Sequence, residues 1–296
     1  MSILVTGATG NVGGAALRAL RARGIEAFGT SSRPFSASSS LSSLSSSSPV
    51  RELDFLRPET FVPALRGIDR VLLVRPPALG NMSATLLPFI DAALAAGVGH
   101  FVFLSVVGAA ANPLLPHTKV EKHLAARGAK ATFLRAGFFA QNLTETWRAD
   151  VVQDGRLLLP AGDARIAFVD ARDLGEAAAN LVTGPIPTGC VAFDLTGSTA
   201  VTVTALAALV SAATDALVVY ERCSALRFLL HLWRRRRLPL LQAFILTLLH
   251  VGLRKNDERN GAARITDELH RLLQRPPVTM AAFVDEHRAL LRRGPR

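Results

Sequence analysis

The sequence predicts an α/β fold with a doubly wound parallel sheet, and two features carry this prediction. Short apolar or β-branched runs alternate with Ala/Leu-rich stretches of helical composition through the first two thirds of the 296 residues. Hydrophobic residues make up 49% of the chain and charged residues 19%, a balance typical of a sheet buried on both faces.

Each predicted element rests on its own local pattern. Strands are predicted where short runs are apolar or β-branched, at residues 3–5, 26–29, 51–54, 70–74, 101–104, 131–134 and 191–195. Helices are predicted over residues 12–23, 58–65, 82–96 and 118–127. After residue 182 the alternation fades, which predicts an α/β domain over 1–182 and a mostly helical lobe over 183–296. Residues 36–48 are almost all serine and predict an elongated insertion loop.

A glycine-rich turn, Thr6-Gly7-Ala8-Thr9-Gly10-Asn11-Val12-Gly13, follows the first predicted strand and opens a helix. In this context Gly7 permits a tight turn, Gly10 lets backbone approach a pyrophosphate, and Gly13 lets the helix pack closely on the strand. The amino end of a helix offers phosphates free N–H groups and a positive dipole. We therefore predict a dinucleotide cofactor contacted by Gly7, Thr9, Gly10, Asn11 and Val12. A structural turn without a ligand is the alternative.

The residues after the second predicted strand favour NADP(H) over NAD(H). An acid that would bind the ribose 2′-hydroxyl is absent there, and Thr30-Ser31-Ser32-Arg33 stands in its place. Arg33 suits a 2′-phosphate, with Ser31 and Ser32 as further donors, and the alternative for Arg33 is an ordinary solvated side chain. Asp54, which closes the third predicted strand, is expected to reach the adenine.

Several segments together resemble one protein family: TGATGNVG, FLSVVGA, HTKVEKHLAARG, TFLRAGFFAQNL and FVDARDLGEAAA. The set resembles the NmrA-like branch of the atypical short-chain dehydrogenase/reductases. Residues 264–287 are similar to the ending of bacterial NAD(P)H:quinone oxidoreductase-like members and of fungal ergot-alkaloid reductases of the agroclavine and festuclavine dehydrogenase type. The resemblance implies a Rossmann-type NADP(H)-binding domain, a substrate-binding lobe, and a tail that packs over the substrate cleft.

The chain departs from the better-known dehydrogenases in its proton donor. Those enzymes use a Tyr-x-x-x-Lys pair, whereas the only tyrosine here is Tyr220, far along the chain. In the corresponding region His117 is predicted to bind the nicotinamide ribose, with a general acid or a simple polar residue at a helix start as alternatives. Lys119 beside it is predicted to contact the cofactor. Ser105 is either a polarising serine or a turn hydroxyl.

Without that pair, we predict an NADPH-dependent oxidoreductase whose acceptor needs no simultaneous protonation. An iminium carbon, an activated alkene or a quinone would qualify, and the resemblance suggests an ergot-alkaloid-like role in secondary metabolism. Phe138, Phe139 and Asn142 are predicted to line the substrate cleft, with core packing as the alternative for the two phenylalanines. The rival function is a non-catalytic NADP(H)-sensing regulator of the NmrA type.

Charge and composition narrow the partners. Lys and Arg outnumber Asp and Glu by 34 to 23, so anionic partners have to be considered. No nucleic-acid motif accompanies the arginines at 234–237, so we predict a solvated helix end there rather than a nucleic-acid or membrane contact. Residues 238–253 are apolar but too short to span a bilayer. The predicted partner is a small-molecule substrate, with a homodimer as one option for assembly.

The cysteines and the start of the chain predict a cytoplasmic protein. Cys190 and Cys223 lie in no metal-binding spacing, so neither a disulfide nor a zinc site is expected. The first strand follows directly after Met1 and Ser2, and we therefore expect no signal peptide.

Overall fold

The computed structural model describes residues 1–32, 50–76, 79–113, 115–254 and 261–292. The predicted insertion at 36–48 and Arg33 lie outside the described residues. The chain forms two compact units. The first unit comprises Met1–Ala136, Ala171–Leu195 and Glu268–Arg275, and the second comprises Gly137–Asp170, Thr196–Asp267 and Pro276–Arg296.

The described residues contain the following elements. The strands are β1 (Ile3–Val5), β2 (Ala27–Ser31), β3 (Val50–Glu52), β4 (Arg70–Leu73), β5 (His100–Val106), β6 (Ala131–Ala136), β7 (Phe138–Phe139), β8 (Arg156–Leu159), β9 (Arg165–Val169), β10 (Cys190–Leu195), β11 (Ala200–Thr202) and β12 (Val219–Arg222). The α-helices are α1 (Asn11–Ala22), α2 (Phe61–Leu65), α3 (Leu86–Ala95), α4 (Pro116–Ala126), α5 (Ala171–Thr183), α6 (Val203–Thr214), α7 (Ala225–Leu230), α8 (Leu240–Gly252), α9 (Glu268–Leu273), α10 (Met280–Glu286) and α11 (Arg288–Leu291). Short 3₁₀ turns cover Pro58–Thr60, Met82–Ala84 and Ala140–Asn142, and π-helical turns cover Asp150–Asp154 and His231–Arg235.

The first unit is built on a seven-stranded sheet in the order β10-β6-β5-β4-β1-β2-β3. Every neighbouring pair in this sheet is parallel. The three residues of β1 are all 0% exposed although successive side chains point to opposite faces, so both faces of the sheet are covered at this strand. The predicted doubly wound α/β fold is confirmed, and the predicted strand ends shift by at most two residues. The helices predicted to start at residues 58 and 82 begin with the 3₁₀ turns Pro58–Thr60 and Met82–Ala84, and their α-helical parts start at Phe61 and Leu86.

The second unit combines two small sheets with helices. Strands β11, β9 and β7 form one sheet, and β12 pairs with β8 in the other. Its core includes Trp147, Leu157, Phe228 and Phe283, each no more than 1% exposed. The second unit thus contains helices, as predicted for the lobe, but also five strands that were not predicted to belong to it. The helices are α6, α7, α8, α10 and α11.

The division of the chain differs from the predicted single boundary after residue 182. Strand β10 lies beyond that point yet completes the first unit's sheet beside β6. Conversely, β8 and β9 precede it and pair with β12 and β11 of the second unit. Pairing between strands far apart in sequence leaves no local pattern, which explains why composition alone placed one boundary.

None of the helices in the described stretches combines the length and hydropathy that a membrane span requires.

Candidate functional site

The order of the strands places a switch point between β1 and β4. From β1 the chain winds outward through β2 and β3 on one side, and from β4 through β5, β6 and β10 on the other. Crossovers on either side of such a point leave a crevice at the carboxyl ends of the strands, where open α/β sheets bind their ligands. Thr6 links the carboxyl ends of β1 and β4 at this point. Its hydroxyl donates to the Val74 carbonyl at 2.9 Å and accepts from the Val74 N–H at 2.7 Å.

The glycine-rich turn lies at the switch point and takes the geometry its pattern predicts. Gly7 has φ +63°, a left-handed conformation that favours glycine. A Cβ atom on Gly13 would lie 2.3 Å from the Gly7 carbonyl oxygen and 2.9 Å from that of Thr6, so only glycine lets α1 start this close to β1. Gly10 is the N-cap of α1, and its N–H donates to the Gly7 carbonyl at 2.9 Å.

The amino end of α1 fits an anionic ligand. The first turn of the helix holds no acidic residue, and the Gly10 N-cap has no side chain to occupy the N–H groups that follow. Thr9, Gly10 and Asn11 are exposed, whereas Val12 is 5% exposed and can offer only its backbone. The positive end of a helix dipole with no side-chain cap and no acidic residue is the arrangement that a dinucleotide diphosphate requires.

The ends of β2 and β3 lie at the same edge of the sheet as this turn. Val5 pairs with Gly29, so the half-exposed Ser31 and the exposed Ser32 extend just past the end of β1. Asp54 follows β3, and its carboxylate accepts the Leu56 N–H at 2.9 Å and lies 3.4 Å from the Arg57 Nε. Asp54 thus stabilises its own turn, while its predicted contact with an adenine stays a prediction.

Ser105 takes part in a buried cluster that the sequence did not predict. Its hydroxyl donates to Glu121 at 2.5 Å, and Arg135 donates to the same carboxylate through Nε at 3.1 Å and Nη2 at 2.6 Å. The cluster ties α4 to β5 and β6, and the hydrogen bond to Glu121 raises the pKa of Arg135. Because Ser105 has one hydroxyl proton and gives it to Glu121, this geometry favours a structural role over polarisation of a substrate.

His117 lies in the first turn of α4 with its ring turned inward. Its Nδ1 is buried and makes no hydrogen bond within the described residues, and its ring centroid is 6.1 Å from that of Phe103. Burial, reinforced by the charge of Arg75, lowers the pKa of His117 to about 4. A neutral imidazole can bind a ligand but seldom carries the proton that a general acid must donate near pH 7.

Lys119 is exposed and lies two residues beyond His117 on α4. Positions two apart on a helix do not share a face, so the structure does not bring this ammonium group together with the imidazole.

The three predicted substrate residues begin the second unit. Phe138 stacks on Trp147 with ring centroids 5.8 Å apart and meets Phe168 edge-on at 5.8 Å, which is core packing. Phe139 is half-buried, and its carbonyl accepts the Asn142 Nδ2–H at 3.0 Å. Phe138 is half-buried and packs against this core, and the substrate roles of Phe138, Phe139 and Asn142 all stay predictions.

A model of the NmrA-like family matches residues 1–280. The chain belongs to the NmrA-like family. The predicted resemblance is thereby confirmed.

Two relatives of this NmrA-like chain are named as oxidoreductases. It is 31% identical over 234 residues to an NAD(P)H azoreductase of Xenophilus azovorans, covering 74% of this chain and 76% of the relative. It is also 31% identical over 182 residues to quinone oxidoreductase 2 of Escherichia coli, covering 60% of this chain and 63% of that relative, which is less than two thirds of its length. A crystal structure of the NADPH-dependent quinone oxidoreductase from Escherichia coli complexed with NADPH has a TM-score of 0.83, with 26% identity over 96% of this chain and 99% of that chain.

The single tyrosine of this NmrA-like protein has a structural role. Tyr220 lies in β12, and its hydroxyl is 3.2 Å from the Leu159 carbonyl and 3.1 Å from that of Gly162. Its proton is therefore occupied by backbone acceptors. Within the described residues no group of three or more His, Cys, Asp or Glu side chains could hold a metal ion.

Proposed function

We propose that this chain is an NADPH-dependent reductase of quinone or azo compounds. The observation that carries the proposal is the glycine-rich turn at the sheet's switch point, whose close helix start and first turn without an acidic residue or a side-chain cap fit a dinucleotide diphosphate. The prediction of an NADP(H)-dependent oxidoreductase agrees with the azoreductase and quinone oxidoreductase relatives.

The protein's part in the reaction is binding and orientation. Bound NADPH supplies a hydride equivalent. The amino end of α1 binds the diphosphate, and Ser31 and Ser32 bind the adenosine ribose, with Arg33 contributing the charge that selects a 2′-phosphate. His117, neutral because of its burial, accepts or donates one hydrogen bond at the ribose nearer the nicotinamide without releasing a proton.

The choice of acceptor follows from the missing phenolic proton. Tyr220 donates to backbone carbonyls, and Ser105 donates to Glu121. A ketone would leave an unstable alkoxide without a proton donor, whereas a reduced quinone is a delocalised phenolate that takes its proton from water afterwards. Azo compounds are the second acceptor class because of the azoreductase relative.

The test is NADPH oxidation followed by absorbance against a panel of quinones, azo dyes, cyclic iminium compounds and activated alkenes. We expect turnover with quinones or azo dyes and slower turnover with the others. Turnover confined to iminium compounds would instead support the ergot-alkaloid-like role. NADPH binding without turnover of any acceptor would support the NADP(H)-sensing regulator.

Selection of NADPH over NADH has its own test. Replacing Arg33 with serine should weaken NADPH binding about tenfold or more and leave NADH binding within about twofold, because a charge-assisted bond to the 2′-phosphate is worth roughly 1.5–3 kcal/mol. Arg23, exposed at the other end of α1, provides the matched control as Arg23→Ser.

A further inference from the structure

Helix α8 presents an apolar half to solvent. Six large apolar side chains on it are each 48% or more exposed, and Leu241 reaches 71%. At 100° per residue these positions cover one half of the helix circumference. We call this surface the α8 apolar face: Leu240, Leu241, Phe244, Ile245, Leu248 and Leu249.

The opposite half of α8 is fixed in the core of the second unit. His250 is 2% exposed, and its Nε2 accepts the Trp147 indole N–H at 3.1 Å while its Nδ1 donates to the Leu246 carbonyl at 2.7 Å. Ala243 and Thr247 are buried on the same side. Thr247 and His250 thus point inward while the six large apolar side chains point outward, and the contacts of His250 oppose a rotation that would bury the apolar face.

A basic and aromatic rim precedes the α8 apolar face. Trp233 is 40% exposed, and the Arg234 guanidinium carbon lies 5.2 Å from its ring centroid. Arg236 and Arg235 pair with Asp150 and Asp154. Arg234 and Arg237 are exposed and have no ion pair with any described carboxylate. Two cations are therefore available to an anionic partner.

We infer that the α8 apolar face and this rim dock on an anionic lipid bilayer, with α8 lying along the surface. A helix that presents apolar side chains beside tryptophan and arginine is the arrangement of interfacial helices. Its 13 residues are fewer than the roughly 20 needed to span. The exposed Arg234 and Arg237 and the formal charge of +11 complement acidic headgroups.

A second copy of the chain is a less favourable occupant. A two-fold contact through the α8 apolar face would add two copies of the uncompensated Arg234 and Arg237 to one interface. The sequence favoured a solvated helix end at 234–237. The exposed α8 apolar face favours a membrane contact instead. This exposure could not be predicted, because a local sequence pattern does not reveal which side of an apolar helix faces outward.

Vesicle co-sedimentation of the full chain tests the inference. We expect binding to vesicles of equal parts phosphatidylcholine and phosphatidylglycerol, little binding to phosphatidylcholine alone, and weaker binding as salt is added. Leu241→Gln with Leu248→Gln should reduce partitioning roughly tenfold or more. Arg234→Gln with Arg237→Gln should reduce it about fivefold for each arginine.

The matched control replaces exposed leucines elsewhere, Leu56→Gln with Leu217→Gln, which are 67% and 76% exposed. This control should leave vesicle binding unchanged, and unfolding curves should show that all variants fold. Absence of binding to the mixed vesicles would overturn the inference, as would equal binding by the α8 variants. A dimer in light scattering that the leucine variants dissociate, without vesicle binding, would assign the face to a second copy and overturn it too.

Discussion

The glycine-rich turn and the Ser105–Glu121–Arg135 cluster both lie in the first unit, but they are built in different ways. In the turn the backbone forms the site. The absence of a Cβ atom permits the positive φ of Gly7 and the close packing of α1 at Gly13. In the cluster side chains from β5, α4 and β6 meet in a buried contact. The comparison teaches that backbone sites can be predicted from sequence spacing, whereas side-chain sites depend on contacts between distant segments.

The largest expected effect is at Gly13. A Gly13→Ala substitution places a Cβ atom 2.3 Å from the Gly7 carbonyl oxygen, and backbone on both sides leaves little room to relax. We expect the free energy of unfolding to fall by about 3 kcal/mol or more, or the protein not to fold, as measured by chemical denaturation.

Gly80→Ala is the control for Gly13→Ala, since a Cβ atom there meets nothing within 4 Å. It should change the free energy of unfolding by less than about 0.5 kcal/mol. Equal stability of the two variants would contradict the close approach of α1 to β1.

The next largest effect is expected at Glu121, where a substitution should lower the stability of the protein rather than its turnover. Glu121→Gln removes the charge that balances Arg135 in a largely buried contact, so the free energy of unfolding should fall by about 3 kcal/mol. The control Lys122→Gln changes an exposed position on the same helix and should cost less than about 0.5 kcal/mol. A stable Glu121→Gln protein that has lost only turnover would move the cluster into the catalytic machinery.

A smaller effect concerns pH and His117. With its pKa lowered to about 4, His117 is neutral near pH 7, so kcat should not fall with a midpoint near 6.5 as pH rises from 5.5 to 8. A general acid with an ordinary imidazole pKa would show that fall. His117→Gln, which keeps a hydrogen-bonding group, should raise the KM for NADPH more than it lowers kcat.

The same burial predicts an effect on stability with a definite sign. Burial also lowers the pKa values of His100 and His250 to about 4. Since the unfolded state binds protons from about pH 6.5 downward and the native state does not, stability is complete above that pH and falls as pH drops toward 4. Denaturation at pH 5 and pH 7 measures this, and a protein equally stable at both values would contradict the burial of these rings.

The smallest effect is at Ser105. Ser105→Ala removes one hydrogen bond to Glu121 and should cost about 1 kcal/mol of stability, with kcat changed less than about twofold. A loss of about a hundredfold in kcat at unchanged KM would indicate that the hydroxyl acts on the acceptor.

The alternation of strands and helices, the glycine-rich turn and the family could be predicted from the sequence, because each depends on residues close together in the chain. It did not reveal that Glu121 joins Ser105 to Arg135, since those residues come from three elements. It also predicted a single boundary after residue 182. Only strand pairing shows that β10, which follows this position, belongs to the first unit's sheet, and that β8, which precedes it, pairs with β12 of the second unit. The outward orientation of the α8 apolar face was equally hidden, because an apolar helix has the same composition whichever side is buried.

The central claim is that the amino end of α1 binds the diphosphate of NADPH. Calorimetric titration of the purified protein with NADPH tests it most directly, alongside Gly10→Ala, whose Cβ atom would lie 3.3 Å from the Gly7 carbonyl and face a ligand at the exposed turn. We expect saturable binding by the original protein, and binding weakened about tenfold or more in Gly10→Ala, which should remain folded. No heat of binding with either NADPH or NADH, or equal affinity in Gly10→Ala, would contradict it.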